Sequence, residues 1–217
     1  MALAVFDLDH TLLRGDSDYL WGEYLVEQGL VDGPAYKARN QAFYEAYMAG
    51  TLDIAAFCAF SFEPLVQWGH AHLAPLRARF VDERIAPLVA PGAQALLDGH
   101  RGRGDRLVIT TATNRFVTEP IAALLGIEDL IATDPEVRDG RFTGRIAGTP
   151  NFREGKPERL REWIRGQGME GEPMTCYSDS RNDIPLLEMA DTAVAVDPDD
   201  ALAAVARERG WALLSLS

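Results

Sequence analysis

The feature that most constrains this chain is its opening stretch, Ala4-Val5-Phe6-Asp7-Leu8-Asp9-His10-Thr11-Leu12-Leu13, a short apolar run ending in two carboxylates one residue apart. Such a run reads as a buried strand that delivers acid groups to a sheet edge. In extended backbone, residues i and i+2 lie on the same face. Asp7 and Asp9 are therefore pushed together, and they repel unless a cation or a shared proton offsets their charge. A hard, oxygen-preferring divalent metal is the simplest partner. Burial of both carboxylates without a partner is disfavoured by its cost. A solvated loop with two incidental aspartates is the competing reading, and this stretch alone does not separate the two.

The 217 residues, 47% of them apolar, suffice for one core with room for a small second domain. With 33 acidic against 21 basic residues and a formal charge of −12, a nucleic-acid partner is not expected, because phosphate backbones reward clustered Lys and Arg. The stretch before Asp7 has no basic residues, so a secretory signal is not expected. No apolar run is long enough for a membrane span. Cys58 and Cys176 fall on segments that read as helix and strand, which argues against a disulfide framework. The expectation is a cytoplasmic enzyme, monomer or homodimer, with neither nucleic acid nor membrane as a partner.

After the opening strand the pattern turns helical. Leu20, Trp21, Tyr24 and Leu25 recur at spacings of three and four, with Gly29 placed as a C-cap. Tyr36, Phe43, Tyr44, Tyr47 and Met48 form the next face, closed by Gly50. Thr51 is the expected cap of a third helix through Ile54, Phe57, Cys58 and Phe60, and Leu73, Leu76, Phe80 and Ile85 suggest a fourth. Residues 15–86 thus read as an all-helical insert. It holds 12 of the 19 aromatic residues, and most of these are expected to fill a small core of its own.

From residue 93 the chain alternates: a helix over Ala93–His100, a strand at Leu107–Thr110, a helix over Arg115–Leu125, an apolar run at Leu130–Thr133 and a hairpin signal at Asp139-Gly140. A helix marked by Leu160, Trp163 and Ile164, a strand at Met174–Tyr177, a helix at Leu186–Met189 and a strand at Ala193–Val196 complete the pattern. This rhythm predicts an α/β fold, a Rossmann-like parallel sheet formed by residues 1–14 and 87–217, capped by the helical domain of residues 15–86. Such sheets bind ligands at the carboxyl ends of their strands. Chemistry-bearing residues follow the apolar runs: Asp7, Asp9 and Thr11; Thr111 to Asn114; Lys156 before a helix; and Ser178 to Asp183. Carboxylates for a divalent metal, a hydroxyl and a lysine for anionic oxygens, and a carboxylate free to attack are the parts that phosphoryl transfer requires.

Asp7-Leu8-Asp9-His10-Thr11, Thr111, Lys156 and Asp179-Ser180-Arg181-Asn182-Asp183 together resemble the motifs of haloacid dehalogenase superfamily phosphatases. The helical insert lies where that superfamily places a C1 cap. The branch is the one that includes phosphoserine phosphatases. Two departures, Thr111-Ala112-Thr113 in place of Ser-Gly-Gly and His10 in place of a small residue, together with Asp16-Ser17-Asp18, are more similar to a bacterial group containing histidinol-phosphate phosphatases. The resemblance implies Asp7 as nucleophile and Asp9 as acid/base, with Mg²⁺ held by Asp7, the main-chain carbonyl of Asp9 and Asp179. It also implies Asp183 beside the metal in an orienting role, and Thr111 and Lys156 on the phosphate. Asp16 is then placed to grip a substrate amine.

Ten acidic residues against five basic ones in residues 15–86 suit a leaving group that carries a cation. Histidinol phosphate fits best on this reading. Phosphoserine is the alternative and requires a cation for its carboxylate, for which Arg39 is the candidate. Apart from Asp16, the charges of the insert are expected to solvate its outer faces. Thr113 is expected to cap a helix, and His100 to make a favourable contact at a helix end. His70 and His72 point different ways along a helix and are not expected to bind metal. A phospho-accepting regulatory domain would carry its aspartate after the third strand rather than the first. A silent, binding-only relative would not need the full catalytic set.

Overall fold

The computed structural model describes residues 2–217. Strand β1 (Leu3–Phe6) lies inside a six-stranded sheet of order β3-β2-β1-β6-β7-β8, in which every pairing is parallel. The other strands are β2 (Arg106–Asn114), β3 (Asp129–Thr133), β6 (Met174–Ser178), β7 (Thr192–Val196) and β8 (Ala212–Leu214). All four residues of β1 are buried, as the continuous apolar run of a strand covered on both faces requires. Ala4 and Phe6 face one apolar cluster, and Leu3 and Val5 the other. Phe6 is level with Ile109 of β2 and Tyr177 of β6. The residues after these three therefore emerge together at one edge. The chain builds outward from β1 through β2 to β3, then restarts on the opposite side with β6, and the crevice at that reversal is where such sheets place ligands.

The insert contains α1 (Ser17–Glu27), α2 (Gly33–Met48), α3 (Ile54–Ser61) and α4 (Glu63–Phe80). Asp16 caps α1, its carboxylate accepting from the Tyr19 amide. Asp53, not Thr51, caps α3, accepting from the amides of Ala55 and Ala56; a carboxylate immediately before the helix reaches two free donors that Thr51 is too far back to meet. Helix α4 bends sharply at Gly69, whose φ of 70° and ψ of 167° lie outside helical space. A turn of wide and then tight helix brings the chain back at Val89, which bridges Leu13. The Arg14 amide donates to Leu88 O at 2.7 Å and the Ala90 amide to Leu12 O at 2.9 Å, so the two crossings run side by side.

The expected separate core of the insert is found only in part: Tyr36, Phe43, Phe57 and Phe60 pack on one another within it, but the larger share of its buried side chains does not stand apart from the sheet. Trp21, Tyr24 and Phe80 belong to the same apolar cluster as Phe6, Leu97 and Phe116, continuous from the sheet into the helices. Further along the chain come α5 (Ala93–Gly102), α6 (Arg115–Leu124), α7 (Gly155–Gly166), α8 (Ile184–Leu187) and α9 (Asp200–Arg209). Pro120 inside α6 leaves the Phe116 carbonyl without its helical donor, and Arg77 of α4 supplies one at 2.5 Å, tying insert to core. The hairpin of β4 (Pro135–Arg138) and β5 (Arg141–Ile146) turns on Asp139 and Gly140, both at positive φ, and packs against α3 and α4. No helix among the described residues is long and apolar enough to cross a membrane.

Candidate functional site

The strand ends converge as their register dictates. Asp7 follows β1, Asp179 follows β6, and Lys156 is the second residue of α7; all three are buried, with Asp183 beside them. Lys156 Nζ donates to Asp7 Oδ1 at 2.7 Å and to Asp183 Oδ2 at 2.6 Å, and Ser178 Oγ donates to the same Asp183 oxygen at 2.7 Å. The hydroxyl of Thr11 lies between Asp7 and Asp179, 3.4 Å from Asp7 Oδ2 and 3.0 Å from Asp179 Oδ1, and accepts from the Asp179 amide. Lys156 is held at this depth by a close helix start: a Cβ on Gly155 would stand 2.1 Å from the Pro150 carbonyl oxygen, so only glycine fits there.

Asp9 occupies a different environment, bonded to no lysine. The Ser17 amide at the start of α1 donates to its Oδ1 at 2.7 Å, and the Thr113 hydroxyl donates to its Oδ2 at 3.0 Å. Thr113 is therefore a site residue rather than a helix cap, and Asn114 is the cap, accepting from the Val117 amide. The cause is an irregularity in β2. Thr111 pairs with Ala132 and Asn114 with Thr133, so Ala112 and Thr113 are extra residues that bulge toward Asp9. Thr111 Oγ1 accepts from the Thr113 amide at 3.2 Å, which leaves its proton free for an oxyanion. His10 sits at φ 58° where the loop folds back on Leu8 O, a left-handed position that histidine adopts more readily than most side chains.

The charges do not balance within the protein. Burial raises the carboxyls of Asp7 and Asp183 above the ordinary range even though Lys156 pulls both down. Burial and the repulsion of Asp7 and Asp183 hold Asp179 well above it. For Lys156, burial disfavours the charge, but Asp183 and Asp7 outweigh it and the ammonium is stabilised. Burial, with the charge of Asp16 adding to it and the bond from Ser17 opposing it, pushes the Asp9 carboxyl up to about 6. Three buried carboxylates thus stand in the site against one ammonium, which pairs with Asp7 and Asp183 but not Asp179, and Asp183 Oδ1 is buried with no partner. The arrangement calls for a further cation with hard oxygen preference. Among the described residues no three His, Cys, Asp or Glu side chains gather as metal ligands. A metal here would draw on the carboxylates of Asp7 and Asp179 and on main-chain oxygen.

Above these groups lies a cleft of about 520 Å³, open mouth included, between sheet edge and insert. Asp7, Asp9, Asp16, Asp18 and Thr111 to Thr113 line it with Tyr19, Asn40, Phe43, Tyr44, Tyr47, Leu52 and Phe57; its lining contains no Lys, Arg or His. Arg39 is not brought to this cleft. It forms a two-pronged pair with Glu63 at 3.0 and 2.8 Å, half exposed, over the Phe60 ring, because its position on α2 faces α4 rather than the sheet. Glu23 pairs with Lys37, and Glu27 with Arg84, on the outer faces as expected. Asp18 departs from that expectation: it is buried in the cleft, accepting from Asn114 Nδ2 at 3.1 Å. His100 is also more than a helix-end contact, since it is buried between Tyr177 Oη and Asp105, 2.8 Å from each.

Sequence reasoning missed Asn151. It is fully buried, its amide nitrogen lies 2.9 Å from Thr110 Oγ1, Thr111 O and Ile131 O, and its main-chain amide donates to Thr133 Oγ1. It staples the irregular end of β2 to β3. A lone Asn before Gly-Lys gives no periodic signal, and only the depth of Lys156 hints that the preceding loop is fixed.

This geometry has known counterparts. A histidinol-phosphatase of Neisseria meningitidis serogroup C is 42% identical over 217 residues, with 98% of each chain covered. The phosphoserine phosphatase SerB1 of Mycobacterium tuberculosis is 32% identical over 97% of this chain and 69% of its own length. The crystal structure of a protein of unknown function from Bordetella pertussis Tohama I superposes with a TM-score of 0.91 at 41% identity, covering 100% of this chain and 99% of that one. The profile of the haloacid dehalogenase-like hydrolases matches residues 4–188, the span that carries Asp7, Asp9, Thr111, Lys156, Asp179 and Asp183. With strand ends, motif residues and profile coinciding over that span, the chain belongs to the haloacid dehalogenase-like hydrolase family.

Proposed function

We propose that this protein is a Mg²⁺-dependent phosphomonoesterase that works through an aspartyl-phosphate on Asp7 and acts on a small amine-bearing metabolite phosphate, with histidinol phosphate the best fit. The observation that carries the reading is the unequal treatment of two neighbouring carboxylates. Asp7, though raised by burial, is bonded to a buried ammonium that opposes the rise and favours its ionised form, as a nucleophile requires. Asp9 is bonded only to neutral donors and pushed up to about 6, which suits a group that gives a proton and later takes one. Environments that separate two acids in this way assign acid and nucleophile roles.

In the first half-reaction the Asp7 carboxylate attacks phosphorus, the ester P–O bond breaks, and Asp9 protonates the departing alkoxide. In the second, Asp9 takes a proton from water as that water attacks phosphorus. The bond to Asp7 then breaks and inorganic phosphate leaves. Thr111 and Lys156 hold the phosphoryl oxygens, the hydroxyl by donation and the ammonium as a charge. Mg²⁺, held by Asp7, the Asp9 carbonyl and Asp179, would neutralise the approach of phosphate to carboxylate. Asp183 orients Lys156 from behind.

For the substrate, the supporting observation is the cleft lining. Phosphoserine carries a carboxylate, which in a buried cleft needs a cation, and Arg39 is committed to Glu63 away from the cleft. An amine without a carboxylate matches a wall containing Asp16. The name of the Neisseria relative agrees with this choice, whereas the mycobacterial relative carries the phosphoserine name. The test is steady-state turnover of a panel of phosphomonoesters with Mg²⁺ by the wild type, Asp7→Asn and Asp9→Asn. Histidinol phosphate is expected to give the highest kcat/KM, Asp7→Asn to abolish turnover, and Asp9→Asn nearly to do so. Faster turnover of phosphoserine would reverse the substrate choice. Normal turnover by Asp7→Asn, with deamidation excluded, would end the mechanism.

A further inference from the structure

Asp18 is 6% exposed and stands in the cleft wall. Its Oδ1 accepts from Asn114 Nδ2 at 3.1 Å, and the Asn114 carbonyl oxygen is committed to the Val117 amide, so the orientation of that amide is fixed. Among the described residues no group donates to Asp18 Oδ2 and no Lys, Arg or His pairs with Asp18. A buried carboxylate with one neutral partner is costly. The start of α1 offsets part of that cost, but Asp16 already caps this helix. Asp16 and Asp18 therefore present two carboxylates to one cleft that contributes no cation. The same cleft has an aromatic part to its lining: Phe43 and Phe57 meet edge to face with centroids 5.6 Å apart, and Leu52 is a further apolar lining residue.

We propose that Asp18, in a cleft whose lining also carries Phe43, Tyr44 and Phe57, forms a second nitrogen-binding subsite that accepts an N–H from a planar heterocycle on the leaving group, while Asp16 takes the amine. The inference rests on the phosphatase reading above and narrows its substrate class to leaving groups that carry both an amine and a nitrogen ring. A bare ammonium gains little from an aromatic lining, whereas an imidazole-sized ring packs a face on it and still presents N–H at its edge.

The experiment compares three phosphates: histidinol phosphate with amine and ring, O-phosphoethanolamine with an amine alone, and p-nitrophenyl phosphate with neither nitrogen donor. Asp18→Asn is expected to raise KM for histidinol phosphate about 10- to 30-fold more than for the other two, with kcat changed little. Phe57→Ala, in the aromatic part of the same lining, is expected to separate histidinol phosphate from O-phosphoethanolamine in the same direction. It decides the matter if Asp18→Asn fails to fold. Equal losses on all three substrates, or an unchanged KM for histidinol phosphate, overturn the subsite and leave the phosphatase reading standing. A wild type that hydrolyses p-nitrophenyl phosphate but not histidinol phosphate overturns both the substrate choice and the subsite. No hydrolysis of any phosphate with Mg²⁺ overturns the phosphatase reading itself.

Discussion

Replacing Lys156 with methionine keeps the volume of a fully buried side chain but deletes the charge that holds Asp7 and Asp183 at 2.7 and 2.6 Å. Little cavity forms, so the cost is electrostatic. Removing one partner of a buried pair costs about 3–5 kcal/mol. A second estimate comes from the proton that one carboxylate can take up instead. Neutralising a group of ordinary pKa, about 3.9, costs about 4 kcal/mol at pH 7 and about 1.5 kcal/mol at pH 5. The sign follows from burial. The folded carboxyls are raised above their unfolded value, so in the variant the native state binds the extra proton and gains stability as pH falls. Lys156 itself is raised above its unfolded value, so its contribution in the wild type is fully present throughout this range. Urea unfolding with EDTA is the assay: the deficit of Lys156→Met relative to wild type is expected near 4 kcal/mol at pH 7, shrinking by about 2–3 kcal/mol at pH 5. A deficit that is the same at both pH values would refute the charge argument. With Mg²⁺ and substrate, kcat is expected to fall about 10²- to 10³-fold.

The other predictions concern residues around the site. Asn151→Ala leaves three buried acceptors with fewer donors and is expected to cost about 2–4 kcal/mol in denaturant unfolding, with kcat falling as Thr111 loses its fixed position; unchanged stability would contradict the staple. Asp16→Asn is expected to raise KM for an amine-bearing phosphate by about 10- to 100-fold relative to its effect on p-nitrophenyl phosphate, and equal effects would make Asp16 a helix cap only. Arg39→Ala removes an exposed pair worth about 0–1 kcal/mol, and its KM for phosphoserine is expected to match that of the wild type. A selective rise would return Arg39 to substrate binding.

The alternation of strands and helices from Ala93 onward was readable because each apolar run is short, continuous and punctuated by glycine, and parallel strands buried on both faces leave that imprint. Strand β8 and helix α9 leave no such imprint: Ala212–Leu214 is a three-residue edge strand, and α9 buries only Leu202, Ala203 and Ala206. Asp7, Asp9, Lys156 and Asp179 could be found because charged residues immediately beyond apolar runs are conspicuous. The role of Thr113 could not, because it depends on a register shift between β2 and β3 that no local pattern encodes. The misplacement of Asp18 and Arg39 has one cause. Helical spacing indicates which residues share a face, but not which face meets the sheet, and that orientation is set by distant packing such as Arg77 on the Phe116 carbonyl.

The central claim is that phosphate passes through a covalent bond to Asp7. Wild-type protein turning over histidinol phosphate with Mg²⁺, quenched in acid and reduced with borohydride, gives the most direct reading, because reduction converts an aspartyl-phosphate to homoserine at the attacked residue. Peptide mass spectrometry is expected to find homoserine at position 7, with Asp9, Asp179 and Asp183 unchanged. Turnover with no conversion at position 7, or conversion at another aspartate, would contradict the account.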